Sequence, residues 1–268
     1  MRKGPFFDSK HPIIFAHRGA SFDYPENTIT AFQAAIKYGV QYLETDVHIT
    51  KDGVIVVCHD DNVERIGGVN KSIGEMTLKE IEKIDAGANF TKDNGDTFPF
   101  RDNGIKIPTL EKLLTKFKDV RINIEIKDGT VQTTKEVLAI IKKHGAEERC
   151  LLATASGKAA LHLIRKEAPE IATCACKGEV ISFLAGSYLA KKPFENINFD
   201  ALQVPEKHSI IRVVNGRFLE TAKNFGVEVH VWTVDEVADM KRLLNMGVDG
   251  IMTNCPDLGL AVAKQYQH

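Results

Sequence analysis

Two acids separated by a single residue, Glu44 and Asp46 in YLETDV, are the first positions in this chain whose pattern implies chemistry. Residues i and i+2 of a β-strand share a face. Flanked by Leu43, Thr45 and Val47, both carboxylates therefore point the same way, with Cα atoms roughly 7 Å apart. Carboxylates this close repel unless a cation or a proton lies between them. A third acid, Glu125 in INIEIK, shares its parity with Lys127. Three carboxylates converging from strand ends offer hard oxygen ligands of the kind that suit Mg²⁺, Ca²⁺ or Mn²⁺. The plainer alternative is an acidic rim that is solvated or paired with Lys127.

His17 and Arg18 close the apolar run PIIFAH and precede Gly19. An arginine there can grip phosphate oxygens through two parallel N–H groups without losing its charge. A second histidine, His59, follows the run VIVVC. Imidazoles titrate near neutrality, so a pair beside a carboxylate cluster suits proton transfer, one as base and the other as acid.

These residues need a scaffold that gathers them. Short β-branched runs at 12–17, 41–47, 121–127, 150–155, 171–175, 201–204, 227–233 and 250–254 alternate with helical patterns. The helices fall at 28–38, 110–117, 131–144, 158–167, 179–189, 215–225, 235–246 and 257–266, with Thr28, Thr130 and Asp235 as start signals. Eight strands, each followed by a helix, predict an α/β fold of the TIM (β/α)₈ barrel type, spanning 1–268 as one domain. No G-x-G-x-x-G follows any strand, which argues against a dinucleotide-binding sheet. Working groups of such barrels sit at the C-terminal strand ends, and that rule selects His17, Arg18, Glu44, Asp46, Glu125 and Lys127.

One segment breaks the alternation. Asp52-Gly53 is a two-residue hairpin signal, so residues 54–59 read as an antiparallel arm that returns along strand two. With Asp52 and Gly53 as the loop, Asp46 lies opposite His59. Residues 60–107 then form a short insertion at the rim, with a helix near 77–84. The stretch from Gly87 to Gly104 reads either as a lid or as a long solvated connection. His48 shares the parity of Asp46 but is expected beyond the rim, exposed to solvent.

Bulk properties exclude several partners. The formal net charge is −1, with 43% apolar and 26% charged residues, so there is no global basic field for nucleic acid or an anionic surface. Five scattered cysteines suit reduced thiols in a cytoplasmic protein. Cys174 and Cys176 would share a strand face, and no further ligands lie near them for zinc, which leaves small core residues as the reading. The N-terminus lacks the long apolar segment of a signal peptide. No run of about 18 apolar residues predicts a membrane span, and nothing in the composition speaks for an oligomer.

The quoted segments resemble a known family. HRGASFDYPENTITAFQAAIKYG, ETDVHITKDGVIVVCHDDNVER, IPTLEKLL, INIEIK and VHVWTVDEVADMKRLLNMGVDGIMTNCPD are similar, in order and spacing, to the glycerophosphodiester phosphodiesterases. The resemblance implies a TIM-barrel hydrolase of lipid and glycerol metabolism that cleaves glycerophosphodiesters to glycerol 3-phosphate and an alcohol. It implies that Glu44, Asp46 and Glu125 bind one divalent cation and that His17 and His59 serve as acid and base. Arg18 and Lys127 would contact the phosphate and Trp232 the glycerol side of the pocket. Glu26 and Asn27 match a motif beside the site, although Asn27 could equally cap the following helix. Ile66, Gly67 and Gly68 stand where the family commonly has an arginine's following threonines, which bears on rim contacts and substrate choice. Two other functions use the same frame. A lysophospholipase D or phosphoinositide phospholipase-like activity would need an exposed apolar patch at the mouth, with Phe98 and Phe100 as candidates. A silent phosphate-binding barrel would be expected had a histidine or an acid been lost.

Overall fold

In the computed structural model, residues 5–154, 157–189, 194 and 197–266 are described. The strands run β1 Ile13–His17, β2 Tyr42–Ile49, β3 Ile55–Val57, β4 Arg121–Ile126, β5 Cys150–Ala153 and β6 Ala172–Thr173. They continue with β7 Ala201–Val204, β8 Lys207–His208, β9 Ile211–Arg212, β10 Glu228–Val231 and β11 Gly250–Thr253. Along the sheet the order is β6-β5-β4-β2-β1-β11-β10-β7, all neighbours parallel. A parallel bridge between Cys174 and Ala201 joins the two ends, closing the eight-stranded TIM barrel that the alternation predicts. The expected strand at 150–155 ends at Ala153, and Ala155 lies outside the described residues.

The outer helices are α1 Ile29–Tyr38, α2 Glu64–Gly67, α3 Leu78–Ile81, α4 Leu110–Lys116, α5 Val131–Lys143 and α6 Lys158–Glu167. After them come α7 Lys177–Leu189, α8 Gly216–Phe225, α9 Val237–Met246 and α10 Pro256–Ala263. Their starts are chemically explicit. Thr28, Thr109, Thr130 and Asn215 each accept a backbone N–H of the first turn, which satisfies a donor the helix itself leaves open. Asp235 does not open α9, which begins at Val237. It serves the neighbouring strand end instead.

Strand parity sorts the core into two layers. Ile13, Phe15, Tyr42, Leu151, Cys174 and Met252 meet inside the barrel, where Phe6 and Phe7 pack among them. The alternate residues, Leu43, Ile122, Ile124 and Leu152 on one side and Leu202, Val229, Val231 and Ile251 on the other, face the helices. Cys174 and Cys176 do not share a face. β6 ends at Thr173, and the two thiols fall in the inner and outer layers respectively. All five cysteines are buried and free.

The hairpin register differs by one residue from the expected pairing. Val47 faces Val57, and Asp46 O accepts from Cys58 N at 3.0 Å, so Cys58 rather than His59 lies opposite Asp46. The loop has three residues, Lys51 to Gly53. Thr50 Oγ1 donates to Asp52 Oδ1 and accepts from Val54 N, while Gly53 takes a left-handed φ of 84°. This is the turn-plus-bulge alternative to a two-residue loop, and the hydroxyl of Thr50 selects it. Beyond the arm, Val56, Cys58, Val63, Ile73, Met76, Ile81, Ile84 and Ile107 form a small core of their own. Among the described residues, no helix is long and apolar enough to cross a membrane.

Candidate active site

Inward-facing residues of β1, β2, β4, β7 and β11, with the segments that follow β1, β3, β4 and β10, fill the barrel mouth. A cavity of about 340 Å³ is lined by His17, Arg18, Glu44, Asp46, His59, Asn123, Glu125, Lys127, Gln203, Trp232, Thr233 and Met252. Every site residue expected from the sequence is in that lining. An adjoining cavity of about 330 Å³ shares His17 and Arg18 and adds Ser21, Phe22, Glu26, Phe90, Thr91, Lys92 and Asn254.

Glu44, Asp46 and Glu125 each offer an oxygen, all within 4.8 Å of one another. Glu44 is 4% and Asp46 1% exposed. Burial first, then the charges of Asp46 and Glu125, push the Glu44 carboxyl well above its ordinary range, against the opposing pull of Arg18. A pocket that crowds three carboxyls and pushes one above its ordinary range fits a cation of higher charge than a side chain can supply. The present cations are Lys127, whose Nζ is 3.3 Å from Asp46 Oδ1 and 3.4 Å from Glu125 Oε2, and Arg18, whose Nε is 3.3 Å from Asp46 Oδ2. Lys127 is buried enough to lower its pKa, yet the two acids more than offset this and raise it. Pairing with Lys127 thus coexists with the acidic cluster.

His17 is held from behind. Its Nδ1 lies 2.7 Å from Asn254 Oδ1, and Asn254 donates through Nδ2 and its backbone N to the two oxygens of Asp235, each at 2.7 Å. Ser21 Oγ also donates to Asn254 Oδ1 at 2.8 Å. The amide is thereby oriented with its oxygen toward His17, so Nδ1 carries the proton and Nε2, 3.9 Å from Glu44 Oε2, keeps its lone pair. Burial and then the Arg18 charge hold this imidazole below its ordinary pKa, despite the Asn254 bond.

His59 is held differently. Its Nδ1 lies 2.7 Å from Asp60 Oδ1, and Asp60 accepts from Arg65 Nε at 2.5 Å. Burial raises the Asp60 pKa, but the bonds from Arg65 and His59 outweigh it and keep the carboxyl low. Arg65 also donates through both terminal nitrogens to Glu26, at 3.0 and 2.7 Å, and Glu26 in turn accepts from Arg18 at 3.1 Å. One chain of contacts therefore links the two ends of the site. His48 is buried, not exposed; its ring Nε2 is 3.1 Å from the His59 carbonyl and pins that turn. Asn27 does not cap α1. It donates to Asp46 Oδ2 at 3.0 Å, accepts from Thr45, and takes a left-handed φ of 56° to do so.

Asn254, Asn123 and Gln203 are absent from the residues that the sequence pattern selects, and Asp235 is read there only as a helix start. Strand parity was the available signal, since Asn254 follows Gly250 and Met252, and Gln203 follows Ala201, on the inward face. Asn123 Nδ2 donates to Gln203 Oε1 at 3.1 Å across the barrel.

Comparison with known proteins decides the family. The model of the glycerophosphoryl diester phosphodiesterase family matches residues 17–258. The chain belongs to that family. It is 34% identical over 250 residues to the glycerophosphodiester phosphodiesterase of Caldanaerobacter subterraneus subsp. tengcongensis, covering 91% of this chain and 95% of the relative. A Bacillus subtilis glycerophosphodiester phosphodiesterase is 29% identical, with 98% and 90% covered. The crystal structure of the Agrobacterium tumefaciens glycerophosphodiester phosphodiesterase superposes with a TM-score of 0.72 at 25% identity, covering 93% of this chain and 99% of that one. The expected enzyme class, a phosphoric diester hydrolase, is borne out by this family membership, and so is the barrel.

Proposed function

We propose that this member of the glycerophosphoryl diester phosphodiesterase family hydrolyses glycerophosphodiesters to glycerol 3-phosphate and an alcohol, with the aid of one divalent cation. The observation that carries the reading is the meeting, in one cavity, of three carboxylates, two differently supported histidines and two cationic side chains. Glu44, Asp46 and Glu125 would hold Mg²⁺ or Ca²⁺, with Mn²⁺ also suited to such oxygens. When bound, the cation supplies positive charge for phosphoryl oxygens as negative charge grows on them. Arg18 and Lys127 add to that field from the protein side, and Trp232 offers a face to the glycerol.

The two histidines divide the proton work. Burial and Arg18 keep His17 neutral with Nε2 unprotonated, which suits a base. The Asp60 carboxylate holds His59 through Nδ1 and leaves Nε2 for the departing oxygen, which suits an acid. In this reading the glycerol hydroxyl beside the phosphate attacks phosphorus and gives its proton to His17. The P–O bond to the head-group alcohol breaks as His59 protonates the departing oxygen. Water then opens the cyclic phosphate with the roles reversed.

The proposal also treats the chain as one domain carrying a rim insertion at 60–107, and places it in the cytoplasm, where five free thiols are at home. The test is hydrolysis of glycerophosphocholine and glycerophosphoethanolamine after chelation, with each ion restored in turn. Glycerol 3-phosphate should appear only with an ion present. Methylation of the neighbouring hydroxyl should abolish turnover; undiminished turnover would eliminate the internal attack.

A further inference from the structure

The phospholipase alternative called for an apolar patch at the mouth, and Phe98 and Phe100 do not supply it. Phe98 is covered by the Arg101 guanidinium, 3.8 Å from its ring centre, and Phe100 packs against Phe90 and Tyr24. The exposed apolar surface lies elsewhere on the same face, on the β8–β9 hairpin between β7 and α8. Ile210 is 98% exposed and Ile211 53%.

This hairpin is poorly explained by folding alone. Its two-residue turn is Ser209-Ile210, with Ser209 at a left-handed φ of 55°. Glycine and asparagine are the residues that such turns favour, and a β-branched side chain gains nothing there unless it is covered. One rung below, Lys207 stands directly opposite Arg212, and like charges opposed across a ladder destabilise the pair. The stalk, by contrast, is firmly built. Val213 and Val214 are buried and donate their amides to the Glu206 carbonyl at 3.0 and 3.1 Å. Arg242 grips the Glu206 carboxylate at 2.9 and 2.7 Å. A stiff base thus carries a tip that spends stability on exposure.

We propose that the β8–β9 hairpin is a peripheral docking element for an anionic lipid surface. The layering decides the occupant. The isoleucines form the outermost layer and the two cations the next, the order in which apolar boundary and phosphate charge are met on entering a leaflet. Ile210 stands almost wholly clear of the protein, which suits contact with a deformable surface. The acid of the segment, Glu206, is withdrawn to the root and neutralised by Arg242. Two further exposed aromatics follow strands on this side of the barrel: Trp232 at 43% follows β10, and Phe22 at 54%, with the Lys92 ammonium 4.5 Å over its ring, follows β1. In the sheet β7, β10, β11 and β1 are consecutive. Docking through the hairpin brings the mouth toward the surface, and the attachment is reversible rather than inserted. It does not depend on the activity proposed above.

The test is co-sedimentation of the full chain with sucrose-loaded vesicles at low salt. Equal parts of phosphatidylglycerol and phosphatidylcholine should bind it, and phosphatidylcholine alone should bind at least about tenfold less. Ile210→Asp/Ile211→Asp and, separately, Lys207→Glu/Arg212→Glu should each weaken binding to the anionic vesicles by about tenfold or more. Because these side chains are exposed, both variants should keep the wild-type melting temperature. A milder Ile210→Ser variant, expected to lose part of the binding, serves if either double variant does not fold. Absence of wild-type binding to the anionic vesicles, as a protein partner would produce, overturns the proposal. So does undiminished binding by the folded variants.

Discussion

His17 Nδ1 lies 2.7 Å from Asn254 Oδ1, although 237 residues separate them in the chain. Two neighbouring parallel strands, β1 and β11, bring them together, and Asp235 fixes the amide so that its oxygen faces the ring. Asn254→Leu removes that acceptor while keeping the volume near. His17 then loses its preferred tautomer, and turnover should fall by about tenfold to a hundredfold with little change in KM. Asp235→Asn should show a smaller loss of the same kind. Steady-state kinetics on a soluble glycerophosphodiester decide the matter; wild-type turnover in Asn254→Leu would remove the amide from the reaction.

The buried acids predict a split between stability and binding. Glu44 sits with Asp46 and Glu125 in a setting that favours its protonated form. Glu44→Gln relieves like-charge repulsion, so the metal-free protein should melt no lower than wild type. The same change removes a proposed ligand, so added Mg²⁺ or Ca²⁺ should raise the melting temperature of the wild type but not of the variant. Activity and ion affinity should fall together. A variant that the ion still stabilises fully would take Glu44 out of the ion site.

Much of this site was readable because strand parity is a local rule. Leu43, Thr45 and Val47 alternate with Glu44 and Asp46, so the inward face follows without knowing the rest of the chain. The same rule would have delivered Asn254 and Gln203 had it been carried past the acids. The hairpin register was not readable, because a side-chain bond from Thr50 decides between two loop lengths of similar cost. Nor was the burial of His48, which depends on the turn at His59 folding back over it. Exposure of a residue near a strand end is a property of the insertion that covers it, and residues 60–107 pack through a separate apolar cluster with no helical or strand period to announce its position.

Arg65 joins the segment after β3 to the proposed catalytic groups. It holds Asp60 behind His59 and Glu26 beside Arg18 at once. Arg65→Met removes one of the two cations on Glu26, which then draws harder on Arg18, and it loosens Asp60. Turnover should fall by about tenfold or more, and KM should rise because the Arg18 fork is redirected. Arg65→Lys, which cannot span both carboxylates in the same geometry, should recover only part of the loss. Equal kinetics in Arg65→Met and wild type would show that the contacts serve only the rim.

The barrel floor carries a separate pH dependence. Glu228 is fully buried, with His11 Nε2 at 3.0 Å from one oxygen and His230 Nε2 at 3.0 Å from the other. Burial raises its pKa, but these bonds and the charges of the two rings outweigh it and lower the carboxyl from 4.5 to about 2. A carboxyl depressed in the folded state contributes stability above its unfolded pKa, and that contribution disappears as the pH falls toward the folded value. The window therefore runs from about 4.5 down to about 2, and the shift corresponds to a few kcal/mol, of order 3 at about 1.4 kcal/mol per unit. Urea unfolding at a series of pH values should show wild type losing stability through that window faster than Glu228→Gln, which has no proton to take up. Their difference should be greatest at neutral pH and narrow as acid is added. Parallel curves for the two proteins across the window would mean that Glu228 is not the group whose protonation loosens the floor.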